Sequence, residues 1–170
     1  MANSVFDAVR TVMAVRDYQD KPVSDEVIKR VVEAGRLTAS GSNKQPWHFV
    51  VVKDREGLRA LGSLVRTGPY TAKAAFAIVV AYEKGDPLGA SDASRAIQSM
   101  ILTAWADGVG SNWTGFAGMD AVRKHVGLPE SYDVIGVLPF GYPAHAVKGI
   151  KKRKALSDVA SAERHRRPFS

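Results

Sequence analysis

Three polar segments of this chain of 170 residues contain the side chains that could do chemistry. The first surrounds Arg16, the second is the turn-forming stretch 39–46, and the third is the basic run 151–154. Arginine and lysine bind phosphate through charge-assisted hydrogen bonds, and a stretch of small, hydroxyl and amide residues forms a tight loop. A phosphate site is therefore one interpretation of these residues.

No motif for side-chain catalysis accompanies these segments. The chain has no cysteine, which excludes thiolate catalysis, iron–sulfur clusters and cysteine-bound zinc. The four histidines lack a metal-binding spacing, so we expect surface or packed side chains and no metal. The sequence also lacks a P-loop, a Gly-x-Gly-x-x-Gly motif and a Gly-x-Ser-x-Gly elbow. Either the chain is not an enzyme, or a cofactor supplies its reactivity.

The positive charge is concentrated near the C-terminus. The net charge is +7 and the pI about 9.8, and the late cations are Lys148, Lys151, Lys152, Arg153, Lys154, Arg164, Arg166 and Arg167. This tail could be a solvated surface, a patch for nucleic acid or membrane, or a phosphate site. Few aromatic residues are interleaved that could stack on bases, which argues against nucleic acid.

The size and hydropathy of the chain fit one domain without a membrane segment. A chain of 170 residues buries enough surface for an ordinary core. No apolar run approaches the ~20 residues that cross a bilayer. Residues 1–7 lack the basic and apolar regions of a signal peptide, and the absence of cysteine fits a reducing compartment. We therefore expect a cytoplasmic protein.

Hydrophobic periodicity predicts alternating helices and strands. Helices are expected over 4–13, 24–38, 54–65, 91–107 and 119–126, strands over 47–53, 74–82 and 134–143, and a last helical turn after Ala155. The helix 91–107 has a broad apolar face that suits a central or interface position. This order predicts a single layered α/β or α+β domain.

Four segments in this order resemble the nitroreductase family of FMN enzymes. They are AVRDYQDKPV at 14–23, ASGSNKQPWHFVVV at 39–52, the helix and loop 96–115 ending in GSNWTG, and GYP at 141–143 with KKRKAL at 151–156. The pattern Ser-x-x-Asn-x-Gln-Pro-Trp ahead of an apolar strand is the most specific, and the resemblance covers residues 5–160. It implies an α+β fold with a central mixed or antiparallel sheet surrounded by helices. Residues 1–170 would form a single flavin-binding domain, with 148–170 as a basic tail.

The resemblance also implies a homodimer with FMN at the subunit interface. Flavin N5 would carry the hydride, so no catalytic side chain is required. A cation beside ring N1 and the C2 carbonyl favours reduction, because negative charge gathers there, and Arg16 matches this position. The phosphate contacts would come from Lys151 and Arg153.

Two loops would complete the flavin site in this interpretation. From the partner subunit, the flavin would be lined, largely through backbone groups, by Ser40, Gly41 and Ser42. The ring edge and the ribityl chain would contact Asn43 and Gln45. The other loop would direct a backbone N–H toward N5, and it contains Trp113, Thr114 and Gly115.

Several of these residues also have a simpler interpretation. Arg16 could form a surface ion pair with Asp17 or Asp20. The side chains of Asn43 and Gln45 could cap the turn before the strand, and Trp113 could be a core aromatic residue. We expect Pro46 and Trp47 to pack in the protein rather than contact the cofactor.

The chain departs from the family pattern just before Arg16. Family members usually have Arg-Arg-Ser there, whose first arginine and serine hold the phosphate and ribityl chain, whereas this chain has Val12, Met13 and Ala14. Arg10 on a helix would point about 200° away from position 12, so the basic run 151–154 is left to supply the missing charge. Only residues 83–92 separate the second strand from the central helix, which leaves little room for a lid and implies an open site.

The function implied by the resemblance is hydride transfer. NADH or NADPH would reduce FMN, and a nitroaromatic, quinone or enone would reoxidise it in a ping-pong cycle. The alternatives are a flavin- or deazaflavin-binding protein without general reductase turnover, a specialised enzyme acting on its own cofactor or on a deazaflavin, and a nucleic-acid-binding protein that uses the tail. The sequence does not distinguish NADH from NADPH.

Overall fold

The computed structural model of the protein describes residues 4–115 and 119–169; the first three residues and Ser170 lie outside the described residues. Its helices are α1 Val5–Thr11, α2 Asp25–Arg36, α3 Arg55–Leu64, α4 Gly89–Ala106, α5 Asp120–His125 and α6 Leu156–Val159. Short 3₁₀ turns cover Gly41–Asn43 and Pro69–Lys73. None of the helices in the described ranges is long and apolar enough to span a bilayer.

Four antiparallel strands form one sheet in the order β1-β2-β4-β3. The strands are β1 Trp47–Val52, β2 Phe76–Glu83, β3 Gly110–Ser111 and β4 Tyr132–Gly141. In the register, Val79 of β2 lies opposite Val50 of β1 and Val137 of β4. Because β2 is flanked on both sides and covered on both faces, its residues from Phe76 to Ala81 are buried. The continuous apolar run in the sequence reflects this burial.

The two faces of the sheet form two cores, because successive side chains of a strand point to opposite faces. On one face Phe76, Ile78 and Val80 pack with α2 and α4, whose contributions include Ile28, Val31, Ile97 and Met100. On the other face Ala77, Val79 and Ala81 pack with α3 and α5 through Leu58, Leu61 and Val122. The sheet surrounded by helices confirms the predicted α+β architecture.

Side-chain caps fix the start of two helices where the sequence predicts them. Ser24 Oγ accepts the N–H of Val27 at 3.4 Å at the start of α2. The Asp54 carboxylate accepts the N–H groups of Glu56 at 2.9 Å and Gly57 at 3.1 Å at the start of α3. Such caps satisfy N–H groups that have no partner within the helix.

The N-terminal helix is shorter than predicted and its apolar face is not buried. It ends at Thr11, because Val12 takes an extended ψ of 130° and leads into a segment along the sheet edge. Val5 is 79% and Val9 is 45% exposed in the single chain, and of the described α1 residues only Ala8 is buried. The predicted helix over 4–13 was therefore too long.

Two further boundaries differ from the prediction. Ser91 does not cap α4, which begins at Gly89 after a turn that Asp86 holds by accepting the Leu88 N–H at 2.8 Å. The short strand β3, Gly110–Ser111, was not predicted, because two residues carry no detectable periodicity.

Candidate functional site

The segment 14–19 runs along the free side of β3 and carries Arg16. The Val15 N–H donates to the Ser111 carbonyl at 2.9 Å, and the Gln19 N–H donates to the Tyr142 carbonyl at 2.8 Å. Between these anchors Tyr18 is buried, and its hydroxyl donates to the Val15 carbonyl at 2.8 Å. Desolvation by burial raises the pKa of the Tyr18 hydroxyl far above its ordinary value, so this group is a fixed donor.

Arg16 is exposed and does not form the surface ion pair that the simpler interpretation predicts. Within the described ranges its guanidinium has neither an ion pair nor a hydrogen bond. Asp17 instead lies 3.5 Å from His145. Some other exposed arginines do pair with carboxylates, as Arg30 does with Asp107 at 2.8 Å. Arg16 is thus available to an anionic or electron-rich ligand.

The loop 113–115 is held against β4, and this arrangement uses one of the backbone N–H groups of the loop. The Thr114 N–H donates to the Val137 carbonyl at 3.0 Å, and the Val137 N–H donates back at 2.9 Å. The Thr114 N–H therefore cannot face a ligand. Gly115 is buried with a φ of 84°, and its N–H has no hydrogen-bond partner in the described part of the chain. A left-handed backbone of this kind favours glycine.

Residues of the turn 67–70 support this loop. Thr67 Oγ1 lies 3.0 Å from Thr114 Oγ1, and the Asn112 amide donates to the Tyr70 hydroxyl at 2.5 Å. A Cβ on Gly68 would lie 2.4 Å from Thr114 Oγ1, so the 67–70 turn packs directly on the loop. Their signal in the sequence is only that of a polar turn, because the partners are more than 40 residues away. Trp113 is half-buried against the larger core.

The basic segment reaches the end of α1, where two of its cations bind backbone carbonyls rather than carboxylates. Lys151 Nζ donates to the Val9 carbonyl at 2.5 Å, and the Arg153 guanidinium donates to the Lys152 carbonyl at 2.9 Å. Desolvation, followed by repulsion from Arg153, lowers the pKa of Lys151 below its ordinary value. Two cations close together without an acidic neighbour suit an anion.

The residues before Arg16 offer no polar side chains to that anion. Val12 and Met13 are partly buried and Ala14 is exposed. Arg10 does not compensate, because its guanidinium binds Asp7 at 3.1 Å within α1. Lys151, through its hydrogen bond to the Val9 carbonyl, is the cation of the basic run that contacts α1 in the described ranges.

The loop 40–45 has an unusual backbone. Ser42, Asn43 and Gln45 all have left-handed φ values, of 51°, 55° and 53°. Ser40 Oγ accepts the Gln45 N–H at 2.9 Å, and the Gln45 side-chain amide donates to the Asn43 carbonyl at 3.2 Å. Asn43 and Gln45 thus close the turn, and both remain exposed.

One backbone donor predicted for the cofactor is used inside the protein. The Gly41 N–H donates to the Asp92 carboxylate at 2.9 Å. Of the three residues predicted to line the flavin through backbone groups, Ser40 and Ser42 keep their N–H groups free of described partners. Asp92 was missed in the sequence, where an acidic residue in the first turn of a helix indicates only the helix start.

The structure separates the predicted site residues into two groups. Gly41 is tied to Asp92 near the start of α4, whereas the Trp105 indole near its end donates to Thr11 Oγ1 at 2.9 Å, just before the Arg16 segment. Asp92 and Trp105 are about 20 Å apart at the rise of an α-helix. The segment that leads to Arg16 and the Lys151 contact with α1 thus lie toward one end of α4, and residues 40–45 lie toward the other.

Metal binding has no support in the described ranges. No group of three or more histidine or acidic side chains there could hold a metal ion. The His48 ring lies 5.8 Å from the Tyr132 ring in a tilted arrangement, and His145 lies beside Asp17, so these two histidines are surface side chains with local partners.

Comparison with known proteins places these features in a family. The sequence model of the Nitroreductase family matches residues 9–87 and 63–142. A protein of Archaeoglobus fulgidus assigned as an NADH dehydrogenase/NAD(P)H nitroreductase is 35% identical over 147 residues, covering 79% of this chain and 83% of the relative.

Two crystal structures are similar over almost the whole chain. One, from Bacteroides thetaiotaomicron, has the same assignment as the Archaeoglobus protein; it is 31% identical, has a TM-score of 0.87 and matches over 97% of this chain and 100% of its own. The other, a nitroreductase-like protein of Desulfovibrio desulfuricans in complex with FMN, is 28% identical, has a TM-score of 0.86 and matches over 100% of both chains. The chain therefore belongs to the nitroreductase family.

Proposed function

We propose that the protein is an FMN-dependent oxidoreductase whose site is shared between two copies of the chain. When bound, FMN supplies the redox chemistry: it takes hydride from NADH or NADPH and passes it to a nitroaromatic, quinone or enone in a ping-pong cycle. Family membership and the similarity to an FMN complex support the cofactor. The acceptors and the order of the half-reactions are our inference.

The observation that carries the proposal is a set of cations without acidic partners. Arg16 has no partner in the described ranges, and Lys151 and Arg153 donate to backbone carbonyls. Cations that are not neutralised by carboxylates can bind a phosphate or a reduced ring. In this arrangement Lys151 and Arg153 hold the phosphate, and Arg16 stabilises negative charge at the ring edge.

The backbone also fits a flat cofactor. Gly115 provides an N–H group that has no described partner, next to a Thr114 that is fixed by Val137 and Thr67. Such a preorganised donor needs no rearrangement when charge develops beside it. Ser42, Asn43 and Gln45 form an exposed polar surface that lines the cofactor of the neighbouring subunit.

The separation of the two groups supports a homodimer. The α4 residues that anchor the two groups, Asp92 and Trp105, are about 20 Å apart, which argues against one chain bringing both groups to the same ring. A second copy resolves this problem if its loop 40–45 covers the ring that Arg16 of the first copy contacts. The exposed apolar side chains of α1 provide a surface for that copy, with Phe6 72% exposed.

A hybrid-dimer experiment tests the shared site. Arg16→Gln damages one group, and Gly41→Val damages the other, because a Cβ there would lie 2.3 Å from Leu88. Each variant alone should be inactive in NADPH oxidation with a quinone acceptor. A purified hybrid dimer should regain about half of the wild-type rate, since one of its two sites is then free of substitutions. No recovery in a stable hybrid would show that each site belongs to one subunit.

A flavin- or deazaflavin-binding protein without general turnover is the second candidate. The observation that favours it is the apolar stretch at Val12 and Ala14, which offers no side-chain donor to the phosphate. The two functions differ in one readout. A flavin-loaded protein that NADH and NADPH both fail to bleach in the absence of oxygen would support binding without turnover.

A further inference from the structure

Asp92 is a buried charge that the hydride-transfer scheme does not use. Within the described ranges it is the only buried acidic side chain, with 1% of its surface exposed. One carboxylate oxygen accepts the Gly41 N–H at 2.9 Å, and the other pairs with Arg95 one helical turn later. The Arg95 side chain is half-exposed, so the pair links the protein interior to the surface.

The loop that Asp92 holds does not keep its shape by backbone preference. Three of its non-glycine residues lie in the left-handed region, which is unfavourable for L-amino acids. The internal hydrogen bonds, such as that from the Gln45 N–H to Ser40 Oγ, shape the loop but do not attach it to the body of the protein. A conformation of this kind persists only when its surroundings impose it.

The other attachments of the loop are weaker than the Asp92 contact. Lys44 lies 3.3 Å from Asp86, but the lysine side chain is 57% exposed, and such surface ion pairs contribute little. Leu88 packs against Gly41 and leaves no room for a side chain, which blocks movement in one direction only. The hydrogen bond from Gly41 is charge-assisted and has a buried acceptor, the Asp92 carboxylate.

We propose that Asp92 is a positioning residue for the cofactor of the neighbouring subunit. It does not touch the cofactor; it accepts the Gly41 N–H and thereby holds residues 40–45 in the conformation that presents Ser42, Asn43 and Gln45. This inference rests on the proposed function, because it assigns the loop to the flavin of a second copy. The attachment of residues 40–45 by Asp92 can also be tested without any cofactor.

Two substitutions of Asp92 distinguish its role as a hydrogen-bond acceptor for Gly41 from the role of its negative charge. Asp92→Ala removes the acceptor for Gly41 and should weaken FMN binding by about tenfold or more. Asp92→Asn keeps a side-chain oxygen for the Gly41 N–H and should bind FMN within about threefold of the wild type. Affinity is measured by quenching of FMN fluorescence, at a temperature where far-ultraviolet circular dichroism shows each variant folded.

A matched control is available in α5. Asp120 also lies in the first turn of a helix and also pairs with an arginine three residues later, Arg123, but it lies outside the loop contacts. Asp120→Ala should lower stability without changing FMN affinity. If folded Asp92→Ala binds FMN as tightly as the wild type, or if Asp92→Asn binds as weakly as Asp92→Ala, the positioning role is wrong.

Limited digestion of the FMN-free protein tests the loop independently. Lys44 is exposed, so trypsin can cleave after it once the loop is released. Cleavage there should be about tenfold faster in Asp92→Ala than in the wild type, in Asp92→Asn and in Asp120→Ala. Equal rates would overturn the anchoring. Faster cleavage, together with a wild-type protein that does not bind FMN, would uphold the anchoring and contradict the proposed function instead.

Discussion

At the scale of single residues, Arg16 makes the sharpest prediction. Its guanidinium has no partner in the described chain, so replacing it costs no internal contact. Arg16→Gln should leave the free energy of unfolding nearly unchanged and weaken FMN binding by about tenfold to a hundredfold, as expected for loss of a charged hydrogen bond. Arg59→Gln, an exposed arginine on α3, is the control. Equal affinities of the two variants would remove Arg16 from the site.

Gly68 allows the turn 67–70 to pack closely against the loop 113–115. In Gly68→Ala the new Cβ would lie 2.4 Å from Thr114 Oγ1 and 2.7 Å from its Cγ2. Thr114 is buried and β-branched, so it cannot turn away, and the variant should lose about 1–3 kcal/mol of stability and bind FMN more weakly. Urea unfolding and FMN titration measure the two effects.

Gly127→Ala separates backbone strain from crowding in that comparison. Gly127 has a φ of 72° and open space where a Cβ would be, so its substitution should cost about 1–2 kcal/mol through strain alone. FMN affinity should not change. A loss of affinity in Gly127→Ala equal to that in Gly68→Ala would mean that general destabilisation, not displacement of Thr114, explains both.

Residue types in the sequence identify the polar loops but not which of their atoms are free. The Thr114 N–H is used by Val137 and the Gly41 N–H by Asp92, and both partners are distant in sequence. Such pairings depend on strand register and on where α4 begins, which no local pattern contains. The roles of Arg16, Lys151 and Arg153 came from the resemblance and remain predictions until they are measured.

At the scale of elements, the hydrophobic periodicity of the sequence predicts the long helices and strands but not the short elements at the edge of the sheet. Strand β2 and helices α2 and α3 are found close to the ranges that the apolar periodicity predicts. Helix α1 is shorter than predicted and strand β3 was missed, because both depend on pairing along the sheet edge. Tertiary pairing therefore decides the elements nearest to the site.

The ion pairs of Asp120 at the start of α5 predict that the stability of the protein depends on pH. Hydrogen bonds from Lys124 and then Arg123 lower the pKa of Asp120 from 3.8 to about 2. A carboxylate whose pKa is lower in the folded state stabilises the protein above the unfolded value and loses that effect as the pH falls toward the folded value. The stability difference between the wild type and Asp120→Asn should therefore be full at pH 5, shrink between pH 4 and 2, and vanish below pH 2. Urea unfolding across this range measures it, and a constant difference would contradict the ion pair.

At the scale of the whole molecule, the exposed side chains of α1 predict association of two copies. Val5, Phe6 and Val9 are apolar and exposed in the single chain, at 79%, 72% and 45%. Burial of such surface favours association, and a charge introduced there opposes it. Phe6→Glu should shift sedimentation equilibrium toward the monomer and abolish FMN binding, because a monomer lacks the loop of its neighbour.

Leu64→Glu is the control for that variant. Leu64 is a similar apolar side chain, 37% exposed at the end of α3 on the other side of the sheet. It should remain dimeric and bind FMN. A monomeric Phe6→Glu that still binds FMN with wild-type affinity would contradict the shared site.

The central claim is that this chain holds FMN and reduces it with a nicotinamide. The most direct measurement is the visible absorption spectrum of the purified protein with FMN, before and after NADH or NADPH is added without oxygen. The flavin absorption bands should shift on binding, bleach when the nicotinamide is added and return when a quinone is added. A protein that leaves the FMN spectrum unchanged would contradict it, and retained binding of a deazaflavin in its place would point to the second candidate function.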